Sequence, residues 1–88
     1  MTKDDILKKF AQIASEVTLC DKSKVVPEAR IIEDLGADSL DFVRLVMDVE
    51  LAYHIIIEDE EADGLNTVAQ VVDLIVEKTT HADHSKAP

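Results

Sequence analysis

Apolar residues recur at helical spacing in three stretches of the chain. In the first, Ile6, Phe10, Ile13 and Val17 step along at intervals of three or four, with Leu7 and Ala14 widening the stripe. That spacing predicts a helix from about Lys3 to Val17, and Thr2 followed three residues on by Asp5 can cap its start. In the second, Phe42, Leu45, Val46, Val49, Ala52 and Tyr53 fall on one broad side at about 100° per residue. A helix is predicted there from Ser39 to about His54, with Asp38 as its cap. The third stretch, Val68, Val71, Val72, Ile75 and Val76, predicts a helix from about Val68 to Lys78, opened by a Thr67–Gln70 capping box. A short helical turn, about Asp59 to Asp63, precedes it and is closed by Gly64. The connection over 19–38 has no period. Pro27 and Gly36 punctuate it, and Ile31, Ile32 and Leu35 give it apolar anchors. A connection of that length in so small a domain is more often functional or packed than slack. The segment from Thr79 to Pro88 has almost no apolar content and is expected to be disordered. The pattern thus predicts an all-α fold, a small four-helix bundle of three longer helices and one short one with a long first loop. One domain fills residues 1–78, and 79–88 form a tail.

The second helix carries a further apolar stripe. Leu40, Val43, Met47 and Leu51 lie away from the centre of the core side, with Asp41, Arg44 and Asp48 along one edge and Glu50 near the other. A bundle this small does not easily bury both faces. An apolar centre with a charged rim is the anatomy of a docking surface. The competing reading packs Leu40, Val43 and Met47 beneath the 19–38 connection.

Composition narrows the classes. The chain is 47% hydrophobic but only 3% aromatic, without Trp, so the core must be aliphatic. Two Gly and two Pro are too few for a β-rich fold with many tight turns. Cys20 is the single cysteine, which excludes an intramolecular disulfide and fits a reducing compartment. The polar start Met1-Thr2-Lys3-Asp4-Asp5 has no apolar signal core, and no apolar run approaches the roughly 20 residues that span a bilayer. A cytoplasmic monomer is expected. The net charge of −10 is segregated: residues 28–63 hold twelve acids against two bases, Arg30 and Arg44, while elsewhere seven acids balance seven bases. Such a field repels nucleic acid and anionic membranes and attracts basic protein surfaces. The plainer reading is that the acids confer solubility.

Candidate chemistry is sparse. Ser39 follows the Gly36 turn, with Asp38 and Asp41 flanking the Ser39-Leu40 pair. It is either a helix cap or a hydroxyl to be modified by another protein. Its one histidine on the same helix, His54, lies about 22 Å away at the usual rise per residue, and there is neither a nucleophile elbow nor a phosphate-binding glycine loop. No catalytic residue and no metal site is assigned. His81 and His84 offer too few ligands for a metal, and Cys20 reads as packing. Asp59, Glu61, Asp63 and Gly64 resemble part of a calcium-binding EF-hand loop, but Asn66 and Gln70 break the pattern. A calcium-responsive interaction module is the reading that cluster supports.

The run Asp34-Leu35-Gly36-Ala37-Asp38-Ser39-Leu40-Asp41 is similar to the attachment motif of acyl carrier proteins. The likeness continues through Val43, Leu45-Val46-Met47 and Glu50, then Asp59-Glu60-Glu61-Ala62 and Thr67-Val68, and covers about residues 3–78. It implies that Ser39 is esterified with 4′-phosphopantetheine from coenzyme A by a phosphopantetheinyl transferase, and that acyl groups ride on that arm as thioesters. It implies a carrier, not an enzyme, whose partners are acyl-transfer and fatty-acid or polyketide synthesis enzymes with basic docking patches. The docking face would comprise Asp38, Leu40, Asp41, Val43, Arg44, Met47, Asp48 and Glu50. An acyl pocket would be lined by Ile31, Ile32, Val49, Ile57, Ala62, Leu65, Val68 and Val71. The sequence departs from the usual fatty-acid carriers at Arg44, where they have an acid, at Phe42, at His54-Ile55-Ile56 and at Glu58, where a proline is usual. Carriage for fatty-acid synthesis and a specialised carrier for polyketide or modified-lipid synthesis both fit.

Overall fold

The computed structural model describes residues 2–85, with side chains as far as Thr79. Four helices form the predicted all-α bundle: α1 Lys3–Thr18, α2 Ser39–Tyr53, α3 Asp59–Asp63 and α4 Val68–Ser85, with a 3₁₀ turn at Lys22–Lys24. Helix α1 starts as its sequence dictates. Thr2 Oγ1 accepts from the Asp5 N–H and Asp5 accepts in return from the Thr2 N–H, both at 3.2 Å. Its buried side chains, Ile6, Phe10, Ala14 and Val17, form one stripe that packs against α2 and α4. Phe10, Ile31, Val49, Val68 and Ile75 are the largest fully buried side chains, and they tie α1, α2, α4 and the long connection into one core. Truncating Phe10 to Ala there costs about 3–5 kcal/mol.

The 19–38 connection is packed. Val25, Ala29, Ile31, Leu35 and Ala37 are buried, and its backbone is spliced onto the start of α4. The Val68 N–H donates to Ala29 O, the Ala69 N–H to Pro27 O and the Ile31 N–H to Asn66 O, each at 2.9 Å. Arg30 and Thr67 form an isolated antiparallel bridge. Gln70 Oε1 accepts from the Thr67 N–H at 2.9 Å, and Thr67 Oγ1 accepts from the Gln70 N–H at 3.3 Å. The first donors of α4, which no helix can satisfy internally, are therefore all engaged.

Helix α4 runs on to Ser85, past its expected end at Lys78. No Gly or Pro interrupts this stretch, and Thr79 Oγ1 donates back to the Ile75 and Val76 carbonyls at 2.8 and 3.1 Å. Residues 86–88 of the expected tail lie outside the described residues. Ile32 is 51% exposed instead of anchoring the loop, because Ile31 takes the inward position in the turn over 31–35 and its neighbour is left outside. Asp59–Asp63 forms the expected short helix. Glu61 accepts from the Glu58 N–H at 3.0 Å and pairs with Lys78 at 2.7 Å, so its carboxylate is committed to holding α3 on α4. No cluster of potential metal ligands is found among the described residues.

Candidate functional site

The site is built at the start of α2. Leu35 and Ala37 are buried on either side of Gly36, so the chain is pinned before and after the turn. Gly36 has φ +78°, and a Cβ placed there would meet nothing within 4 Å. The demand for glycine is thus conformational, not steric crowding. From this turn the chain emerges into Asp38. Asp38 Oδ1 accepts from the Asp41 N–H at 2.8 Å, and Asp41 Oδ2 accepts from the Asp38 N–H at 3.4 Å. Asp38 is therefore the cap.

Ser39 is consequently free. It occupies the first helical position, its hydroxyl is exposed, and it makes no hydrogen bond among the described residues. The reading of Ser39 as a cap does not hold, because Asp38 already fills that place. The N–H groups of Ser39 and Leu40 precede the first hydrogen bond of the helix, from the Phe42 N–H to Asp38 O at 2.9 Å. They too have no partner among the described residues. The two helix starts thus differ: that of α4 is sealed by the long connection, while that of α2 leaves two donors and a hydroxyl open. An open helix N-terminus favours a negatively charged group. The carboxylates of Asp38 and Asp41, turned onto each other's backbone N–H, are partly compensated.

Down α2 the core side is as its spacing predicts, with Leu45, Val49 and Tyr53 buried and Phe42, Val46 and Ala52 half-buried. The second stripe faces solvent. Leu40 is 80% exposed, Leu51 74%, and Val43 and Met47 54% each. The connection over 19–38 does not cover them. Along one edge Asp41 and Asp48 flank Arg44, whose Nε approaches Asp48 at only 4.0 Å. Glu50 is turned away from this face: it accepts the Ile57 N–H at 2.8 Å and pins the segment after α2 to the helix. That segment turns at His54, which adopts a left-handed conformation with φ 55°, and it buries Ile55 and Ile57 while leaving Ile56 exposed.

Behind α2 lies a small apolar cavity of about 10 Å³ bordered by Phe10, Ile31, Phe42, Leu45, Val46, Val49, Ile57, Leu65 and Val71. Ile31, Val49, Ile57, Leu65 and Val71 of the predicted pocket meet there. Ile32 is outside it, Val68 is buried deeper in the core and Ala62 is half-buried on α3. Phe10, Phe42, Leu45 and Val46 were not assigned to the pocket. Helical spacing places all four on inward stripes, but it does not say which part of a core is loosely filled. The space holds about one water, so a longer apolar guest requires α2, α3 and α4 to part. The side chains of His81 and His84 lie outside the described residues.

Residues 4–86 match the family model described as acyl-carrier. The chain is 45% identical over 80 residues to the acyl carrier protein of Rubrobacter xylanophilus, covering 91% of this chain and 99% of that one. It is 46% identical over 78 residues to that of Thermosynechococcus vestitus, covering 89% and 96%. Among solved structures it resembles the acyl carrier protein of Thermotoga maritima with a TM-score of 0.80 at 32% identity, covering 91% of this chain and 93% of that one. The acyl carrier protein of Enterococcus faecalis matches with a TM-score of 0.74 at 33% identity, covering 89% and 99%.

Proposed function

The chain belongs to the acyl carrier protein family, and on that premise we propose that Ser39 is its 4′-phosphopantetheine attachment point, from which it serves fatty-acid synthesis. The family is one of carriers rather than enzymes, and the chain is a carrier. The observation that carries the assignment is the open start of α2: one exposed, unbonded hydroxyl beside two unpartnered backbone donors. These residues suit a phosphodiester. Ser39 Oγ supplies the ester oxygen, the N–H groups of Ser39 and Leu40 face the added charge, and Gly36 keeps the approach free of side chain. When bound, the group supplies a thiol on a long flexible arm, which holds acyl cargo as a thioester.

Among the described residues no histidine stands near Ser39, since His54 closes the opposite end of the 15-residue helix, and the flanking Asp38 and Asp41 carboxylates are engaged with backbone N–H groups. The hydroxyl must be activated by a basic or metal-bearing transferase, for which the acids around Ser39 are a natural target. Leu40, Val43 and Met47 provide the apolar centre of the docking face, with Asp38, Asp41 and Asp48 on its rim and Arg44 interrupting it. Glu50 serves it indirectly, by fixing the segment beside it. The cavity behind α2 is the place for the first carbons of an acyl chain, with Val49, Ile57, Leu65 and Val71 as its walls. Arg44 and the exposed Leu51 and Ile56 favour a second reading, a carrier for a specialised lipid or polyketide pathway.

Incubation with coenzyme A and a phosphopantetheinyl transferase tests the assignment by mass. One phosphopantetheine should add to the wild type and none to Ser39→Ala. An unmodified wild type, or equal modification of both, would overturn it. The acyl groups found on protein isolated from its native cell then separate the two pathways.

A further inference from the structure

Arg44 is the cation of the acidic third that is not consumed internally. Arg30 spends its whole guanidinium on its own turn: Nη1 donates to Glu33 at 2.8 Å, and Nε and Nη2 donate to Asp34 at 3.3 and 3.4 Å. Arg44 has a 68% exposed side chain, its single ion pair is the 4.0 Å approach of Nε to Asp48, and neither terminal nitrogen makes a hydrogen bond among the described residues. At about 100° per residue it lies within about 40° of both Leu40 and Leu51. It therefore stands on the edge of the exposed apolar stripe, next to Leu51, with Asp48 and Asp41 just beyond it on the same side.

An arginine fork with both terminal nitrogens free is matched to a carboxylate, which it takes through two parallel hydrogen bonds. The surrounding acids call for basic groups on the same partner. The two demands together describe one kind of surface. A second copy of this chain does not supply it, because two faces of net negative charge repel. Building on the carrier assignment above, we propose that Arg44 is the partner-selecting residue of this docking face. It receives an Asp or Glu side chain that sits within an otherwise basic, apolar-centred patch on the acyl-transfer enzyme that uses this carrier. The same charge repels enzymes whose patch carries Lys or Arg at that point, so attraction and exclusion come from one side chain.

The test uses the phosphopantetheine-loaded full-length protein and each purified acyl-transfer enzyme from its own organism. Wild type is compared with Arg44→Glu, Arg44→Ala and Arg44→Lys, all checked for unchanged thermal midpoint. With the cognate enzyme, Arg44→Glu should raise KM about tenfold or more with kcat little changed, and Arg44→Lys should fall between wild type and Arg44→Ala. Reversing the enzyme's facing carboxylate to Lys should restore Arg44→Glu. Enzymes with uniformly basic patches should instead gain from Arg44→Glu. An unchanged KM for Arg44→Glu with every enzyme, while Ser39 still loads, overturns the role of Arg44 and leaves the carrier assignment standing. Failure of Ser39 to load overturns both.

Discussion

Replacing Asp38 by Ala removes the acceptor of the Asp41 N–H, a bond of 2.8 Å, and leaves the start of α2 without its cap. The expected loss is about 1 kcal/mol. Replacing Ser39 by Ala removes a hydroxyl that caps nothing, so stability should stay within about 0.5 kcal/mol of wild type while modification is abolished. Urea denaturation of the two variants checks the contrast. A larger loss for Ser39→Ala than for Asp38→Ala would return the serine to a structural role. At this scale the candidate residues were legible: Asp34 to Asp41 could be picked out as a turn leading into a helix. The capping pattern already pointed to Asp38; what it left open was whether the Ser39 hydroxyl is also spent on the helix start, which only the backbone geometry decides.

Helix α3 has five residues and buries none of them completely, so its place depends on few contacts. The Glu61–Lys78 pair at 2.7 Å is one of them. The hydrogen bond from Lys78, helped by the Glu58 N–H, holds the Glu61 carboxyl below its ordinary value of 4.5. A carboxyl depressed in the folded state binds a proton more readily in the unfolded one. Its contribution is therefore present above the ordinary value and lost as pH falls through the folded one. The thermal midpoint of the wild type should consequently fall more than that of Glu61→Gln as pH is lowered from about 6 to about 3. Parallel curves would show that the pair does not hold α3. Because Ile57 and Leu65, which flank α3, border the cavity, this tie also bears on how easily the bundle opens. The element was legible as a turn closed by Gly64; its partner Lys78 was not, since the two residues meet only once α4 has packed.

Across the whole molecule the charge is lopsided. The net −10 resides within residues 28–63, while the described residues contain no helix long and apolar enough to cross a membrane. Carboxylates concentrated in one stretch of the chain repel each other in the folded state, and salt screens that repulsion. Raising sodium chloride from about 0.02 M to about 0.5 M should raise the thermal midpoint by about 2–5 °C, read by circular dichroism. A flat or falling midpoint would mean that ion pairs such as Glu61–Lys78 and Arg30–Asp34 outweigh the repulsion.

Periodicity and composition by themselves determined the helical class, the starts of α1, α2 and α4 and the inward stripe of each, because helical spacing and capping are local. They also located the acid-rich third and the serine within it. The tertiary structure alone decided which surplus apolar groups stay in water, Ile32 with Leu40, Val43, Met47 and Leu51, and which acids are consumed internally, Glu50 and Glu61. It also decided that the donors of α4 are sealed while those of α2 stay open. Each of these depends on what the long connection and the short helix pack against, and contacts between residues so far apart in the chain leave no period to read.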